Sequence, residues 1–140
     1  MIRKSLVAAA FLACASPALA ESPFPADAEV YFISPSDGDT VSSPVLVVFG
    51  LKGMGVAPAG TEKEKTGHHH LLIDVETPTG EDLQYGLPAD DNFKHFGSGQ
   101  TETMVELAPG THTLQLMVGD ANHVPHDPPV VSEVITVTVQ

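Results

Sequence analysis

Along most of the chain apolar and polar positions alternate with the two-residue period of extended strands, and clusters of turn-forming residues interrupt the alternation. Residues 29–33 alternate into a first strand and are followed by Ser34-Pro35-Ser36-Asp37-Gly38-Asp39, a run dense in turn chemistry. Residues 44–51 are almost continuously apolar and rich in β-branched side chains, as a central strand requires. Residues 68–75 form a third strand, closed by Thr77-Pro78-Thr79-Gly80, and residues 82–85 suggest a short extra one. Further strands are expected at 100–107, at 111–118 after the Pro109-Gly110 turn, and at 130–139. No segment has the spacing of an amphipathic helix. The pattern predicts an all-β fold, an immunoglobulin-like antiparallel β-sandwich of about seven strands.

If those strands run alternately up and down, three connections share one end of the sandwich. The connection at 52–67 delivers His68, His69 and His70; the one at 87–99 carries His95; the one at 119–129 carries His123 and His126. Six of the chain's seven histidines therefore converge. His112 follows the Pro109-Gly110 turn at the other end and is expected to be a bystander. Two of the three connections are longer than a sandwich needs, which favours a binding role. Lys52-Gly53-Met54-Gly55 and Pro58-Ala59-Gly60 allow close backbone approach, whereas Glu62-Lys63-Glu64-Lys65 reads as a solvated tip. Pro125, Pro128 and Pro129 stiffen the last connection.

Strand parity refines the first cluster. With Leu71, Ile73 and Val75 facing the core, His69 joins them as a structural, hydrogen-bonded residue or as a donor that orients a ligand, and His68 and His70 share the opposite face with Leu72 and Asp74. Two histidines at this spacing stand roughly 7 Å apart along a strand, so both imidazoles can lean onto one ion. Met54, Met104 and Met117 read as core fillers.

The amino terminus changes the chemical setting. Arg3 and Lys4, the apolar run 6–13 and the small residues Ala18-Leu19-Ala20 form a secretory signal peptide at 1–20, with the mature domain expected at 21–140. Lipidation at Cys14 is the competing outcome. Cleavage after Ala20 removes the single cysteine, so metal ligands in the mature chain must be nitrogen, oxygen or thioether. Losing Arg3 and Lys4 takes the net charge from −12 to −14, which disfavours nucleic acid as a partner. No later stretch is long enough to form a transmembrane segment.

Gly67-His68-His69-His70-Leu71-Leu72-Ile73-Asp74, His95-Phe96-Gly97-Ser98-Gly99-Gln100-Thr101-Glu102 and the stretch from Pro109 to Val130 containing Asn122-His123-Val124-Pro125-His126-Asp127 resemble a family of exported bacterial proteins, the domain of unknown function 4399. The resemblance runs from about Val30 to Val139 and implies an exported bacterial protein. It supplies no activity and no ligand residues.

The residues themselves point to a soluble periplasmic or secreted metal-binding protein. His68, His70, His123 and His126 are the principal candidate ligands, His95 is a fifth, and Asp120 and Asp127 are ligands or partners that orient the imidazoles. A thiolate-free site of this kind suits copper(II) or zinc. Two alternatives remain: a metal-free module that recognises a protein, peptide or envelope component through the same loops, and a metalloenzyme using Glu102 or Asp127 as acid or base. The chain lacks a serine nucleophile elbow, a phosphate loop and a zinc-protease helix.

Overall fold

A computed structural model describes residues 27–140; the expected signal peptide, its cleavage point and Cys14 lie outside the described residues. The strands are β1 (Glu29–Ser34), β2 (Thr40–Val41), β3 (Val45–Lys52), β4 (Gly55–Val56), β5 (Thr66–Ile73), β6 (Phe93–His95), β7 (Glu102–Val105), β8 (Gly110–Gly119) and β9 (Ile135–Val139). They build two sheets, one of order β1-β3-β7 and a larger one of order β2-β9-β8-β5-β4 with β6 also paired to β5. The architecture is the immunoglobulin-like sandwich that the alternation predicts. Its pairing is antiparallel except for the two-residue strands β2 and β4, which run parallel to β9 and β5.

The alternation explains which sheet is buried where. In β9, Ile135, Val137 and Val139 are buried while Thr136 and Thr138 are exposed, and β3 likewise turns Val45, Val47 and Phe49 inward. These residues meet Leu71 and Ile73 of β5 and Leu114, Leu116 and Val118 of β8 in the main core. Each such side chain contributes about 1.5–3 kcal/mol on full burial. β5 is buried on both faces from Gly67 to Ile73, because a second apolar layer of Leu72, Leu87 and Met117 covers the outer side of the large sheet.

Three expectations need correction. Residues 82–85 are not a strand: Gly80–Gln84 forms a 3-10 helix, since Thr77-Pro78-Thr79-Gly80 leads into a tight turn with Asp82 N donating to Thr79 O. Val75 does not face the main core. Asp74 adopts a left-handed conformation (φ 56°), which breaks the strand alternation and turns Val75 toward the outer layer around Leu72. The last strand is shorter than 130–139; residues 130–132 bond instead to the upper half of β8, through Val118 N to Val130 O and Ser132 N to Leu116 O, before β9 begins.

Candidate metal centre

β5 carries the first two imidazoles. His68 and His70 project from the sheet's outer face beyond Leu72, while His69 turns inward and packs its ring on Phe49 at a centroid distance of 4.6 Å. All three histidines are buried. Opposite them on β8 lie Gly119, paired with His68, and Met117, paired with His70. Gly119 is required for close approach: a Cβ there would fall 2.8 Å from His70 Cε1 and 3.2 Å from the His123 backbone.

β6 supplies the third imidazole. The Asp90 carboxylate accepts hydrogen bonds from Asn92 N and Phe93 N, and Asn92 Nδ2 donates to Ile73 O, which fixes the register at the end of β5. His95 then falls directly opposite His70, and the rings stack with centroids 5.1 Å apart and planes 14° from parallel. Phe93 packs in the outer layer and Phe96 in the main core, so the chain is pinned on both sides of His95. Gly97 leaves room for the ring, since a Cβ there would lie 2.7 Å from both His95 Cε1 and Nε2.

The fourth comes from the turn after β8. Asp120 Oδ1 accepts from Asn122 N and Val124 N, and Asp120 N donates to Val124 O, closing a compact loop. His123 sits in that loop with φ 67°, an uncommon conformation for a residue with a side chain, and its carbonyl accepts from Leu87 N. The loop holds His123 over the sheet, where His123 Nδ1 and His68 Nε2 lie 3.0 Å apart and share one hydrogen bond.

His68, His70, His95 and His123 each place a ring nitrogen within 4.8 Å of the others. The backbone of the 57–60 segment forms a collar that ties the histidine-bearing segments together: Ala57 N donates to Gly67 O, Ala59 N to Gly97 O, and Gly60 N to Ala121 O. Each acceptor lies one or two residues from a clustered histidine. The role of this collar and of the glycines was not read from the sequence beyond the small residues at 58–60.

The electrostatics favour neutral rings with free lone pairs. Burial pushes His68 down to about 4, reinforced by the neighbouring His95 and His123, and pushes His70 down to about 3, reinforced by His68, His95 and His123. His95 is lowered for the same reasons, by burial first and then by His123. Among the described residues no hydrogen-bond partner reaches His68 Nδ1, either nitrogen of His70, or His95 Nε2. A buried polar atom left so costs about 1–3 kcal/mol. The unpartnered nitrogens of His68, His70 and His95, together with the ring of His123, form a donor set that a transition-metal ion can satisfy.

The other candidates lie elsewhere. His126 is buried three residues beyond His123, outside the group of four, with both nitrogens unpartnered. Asp120 shapes the His123 loop, and Asp127 is exposed. Glu102 stands on β7 in the other sheet. His69 points inward as parity predicts, with the backbone of Gly50 and Gln100 beside its ring, but neither ring nitrogen reaches a well-aligned hydrogen bond among the described residues. His112 lies at the far end of β8, bonded through Nδ1 to Asp74 and through Nε2 to Ala108 O. Met117 is buried, Met54 packs against the main core, and Met104 is exposed.

The fold and its histidine cluster define an all-β protein with a potential metal site. Residues 47–140 match the family model described as a domain of unknown function, DUF4399, and the chain belongs to that family. Neither curated proteins nor solved structures give a match. Among the described residues no helix is long and apolar enough to cross a membrane.

Proposed function

We propose that this protein is a periplasmic or secreted metal-binding protein that holds one divalent transition-metal ion, copper(II) or zinc, on His68, His70, His95 and His123. The observation that carries this reading is the convergence of four ring nitrogens within 4.8 Å, two on buried and two on partly buried histidines. Metal–imidazole bonds of 2.0–2.1 Å place tetrahedral ligand nitrogens about 3.3 Å from one another, a contraction that small side-chain rotations supply. An all-nitrogen set suits both metals, and the general affinity order favours copper when both are available. Asp120 acts at one remove, holding the loop that aims His123, and His126 and Asp127 lie outside this ion's shell. The expected signal peptide directs the protein to a compartment outside the cytoplasm.

Calorimetric titration of untagged protein with copper(II) or zinc tests the reading. About one tight equivalent is expected. The double substitution His70→Asn, His123→Asn should weaken binding by at least ~100-fold, a larger loss than orienting groups alone produce. His112→Ala should leave affinity nearly unchanged. Equal binding by all three proteins, or none by the natural one, contradicts the assignment.

A further inference from the structure

Beside the cluster lies a cavity of about 420 Å³, walled by residues 61–66 and 120–122 together with His126. Both walls run directly into the ligand-bearing segments: Thr66 stands two residues before His68, and Asn122 immediately precedes His123. The mouth carries Glu62, Glu64 and Asp120, with Lys63 and Lys65 between them. At its inner wall His126 is only 5 % exposed, and among the described residues neither of its ring nitrogens has a hydrogen-bond partner. Its Nε2 lies 3.2 Å from the point where a Cβ on Gly67 would stand, so the ring abuts the backbone that leads into His68.

A buried imidazole with two unsatisfied nitrogens needs a reason. Among the described residues His126 belongs to no group of three or more potential ligands, so it is not part of a closed chelate there. One imidazole beside carboxylates instead makes a weak, open site, suited to a cation that keeps most of its water. Asp120 lines this cavity and also holds the His123 loop through Asn122 N and Val124 N, so its carboxylate stands between the two sites. It therefore attracts a cation at either position. We propose that this cavity is the loading port of the metal centre, where a hydrated divalent transition-metal ion is first captured by Glu62, Glu64 and His126 and then passed to His68 and His123. This inference rests on the four-histidine reading and adds the route by which the ion arrives. The exchange replaces carboxylate, imidazole and water ligands by imidazoles at constant oxidation state, the released carboxylates and water returning to solvent, so no electron transfer is involved.

Rapid-mixing kinetics of copper(II) uptake, followed by ligand-field absorption, provide the test. Charge focusing changes association rates by about 10–1,000-fold. That effect belongs to the carboxylates; His126→Asn changes no charge and removes only the relay imidazole, so it is expected to slow uptake severalfold while the equilibrium affinity stays nearly unchanged. Because His126 is buried, Glu62→Gln with Glu64→Gln gives a second, exposed variant that spares the interior; it should slow uptake and flatten its dependence on ionic strength. Natural-sequence uptake with unchanged kinetics in both variants overturns the port but leaves the four-histidine centre standing. No copper uptake by the natural protein overturns the centre and the port with it.

Discussion

At the scale of single residues, the site sets stability against binding. His70 is buried with both ring nitrogens unpartnered, and burial holds it neutral. A leucine of similar size removes those unsatisfied atoms, so His70→Leu should raise the stability of the metal-free protein by about 1–3 kcal/mol and abolish stabilisation by added copper(II) or zinc. Thermal unfolding with chelator and with metal measures both effects; a lower melting temperature without metal would show that His70 is held by packing. The facing of His68 and His70 was legible in the sequence, because period-two alternation around Leu71 and Ile73 leaves only one face for them. The division between His123 and His126 was not. It depends on the left-handed turn at His123 and on hydrogen bonds from Asp120, which no periodicity records.

At the scale of elements, the long strands were legible because each carries an inward row of β-branched or aliphatic side chains, as in Val45, Val47 and Phe49 or Val137 and Val139. β6 was not, since three residues show no period, and its placement comes from the Asn92 clip on Ile73 and the pairing of His70 with His95. That pairing moves His95 from an uncertain loop position to the rim of the cluster. The 3-10 helix was hidden for the converse reason: residues 82–85 alternate weakly, but the preceding turn sets the backbone before side-chain pattern can act. Gly97 and Gly119 have no signature beyond being glycine. Their function appears only once the rings of His95 and His70 occupy the space that a Cβ would take.

At the scale of the whole molecule, the buried histidines link folding to pH. Burial holds His68 and His69 near 4 and His70 near 3, whereas the same rings titrate near 6.5 in an unfolded chain. Between pH 6.5 and about 3 the unfolded chain binds protons that the folded chain refuses, so stability is full above that window and falls as pH drops through it. His112 acts in the opposite sense: hydrogen bonding to Asp74 raises its pKa, and the stability it adds is lost as pH rises above 6.5 and through that raised value. One exposed pair does not offset three buried rings. Chelator-treated protein should therefore lose stability to urea from about pH 7 to pH 5, with each buried imidazole contributing up to about 1.4 kcal/mol per pH unit. A flat profile across that interval would mean that the rings are solvated and already share their protons.

The central claim is that one ion is held by imidazoles from β5, β6 and the loop after β8. X-ray absorption of protein loaded with one equivalent of zinc or copper(II) addresses it directly. The expected result is a first shell dominated by three to four imidazole nitrogens, at about 2.0–2.1 Å for zinc, with the multiple-scattering pattern of histidine rings. A shell of oxygen ligands, or of a single imidazole with water, would contradict it.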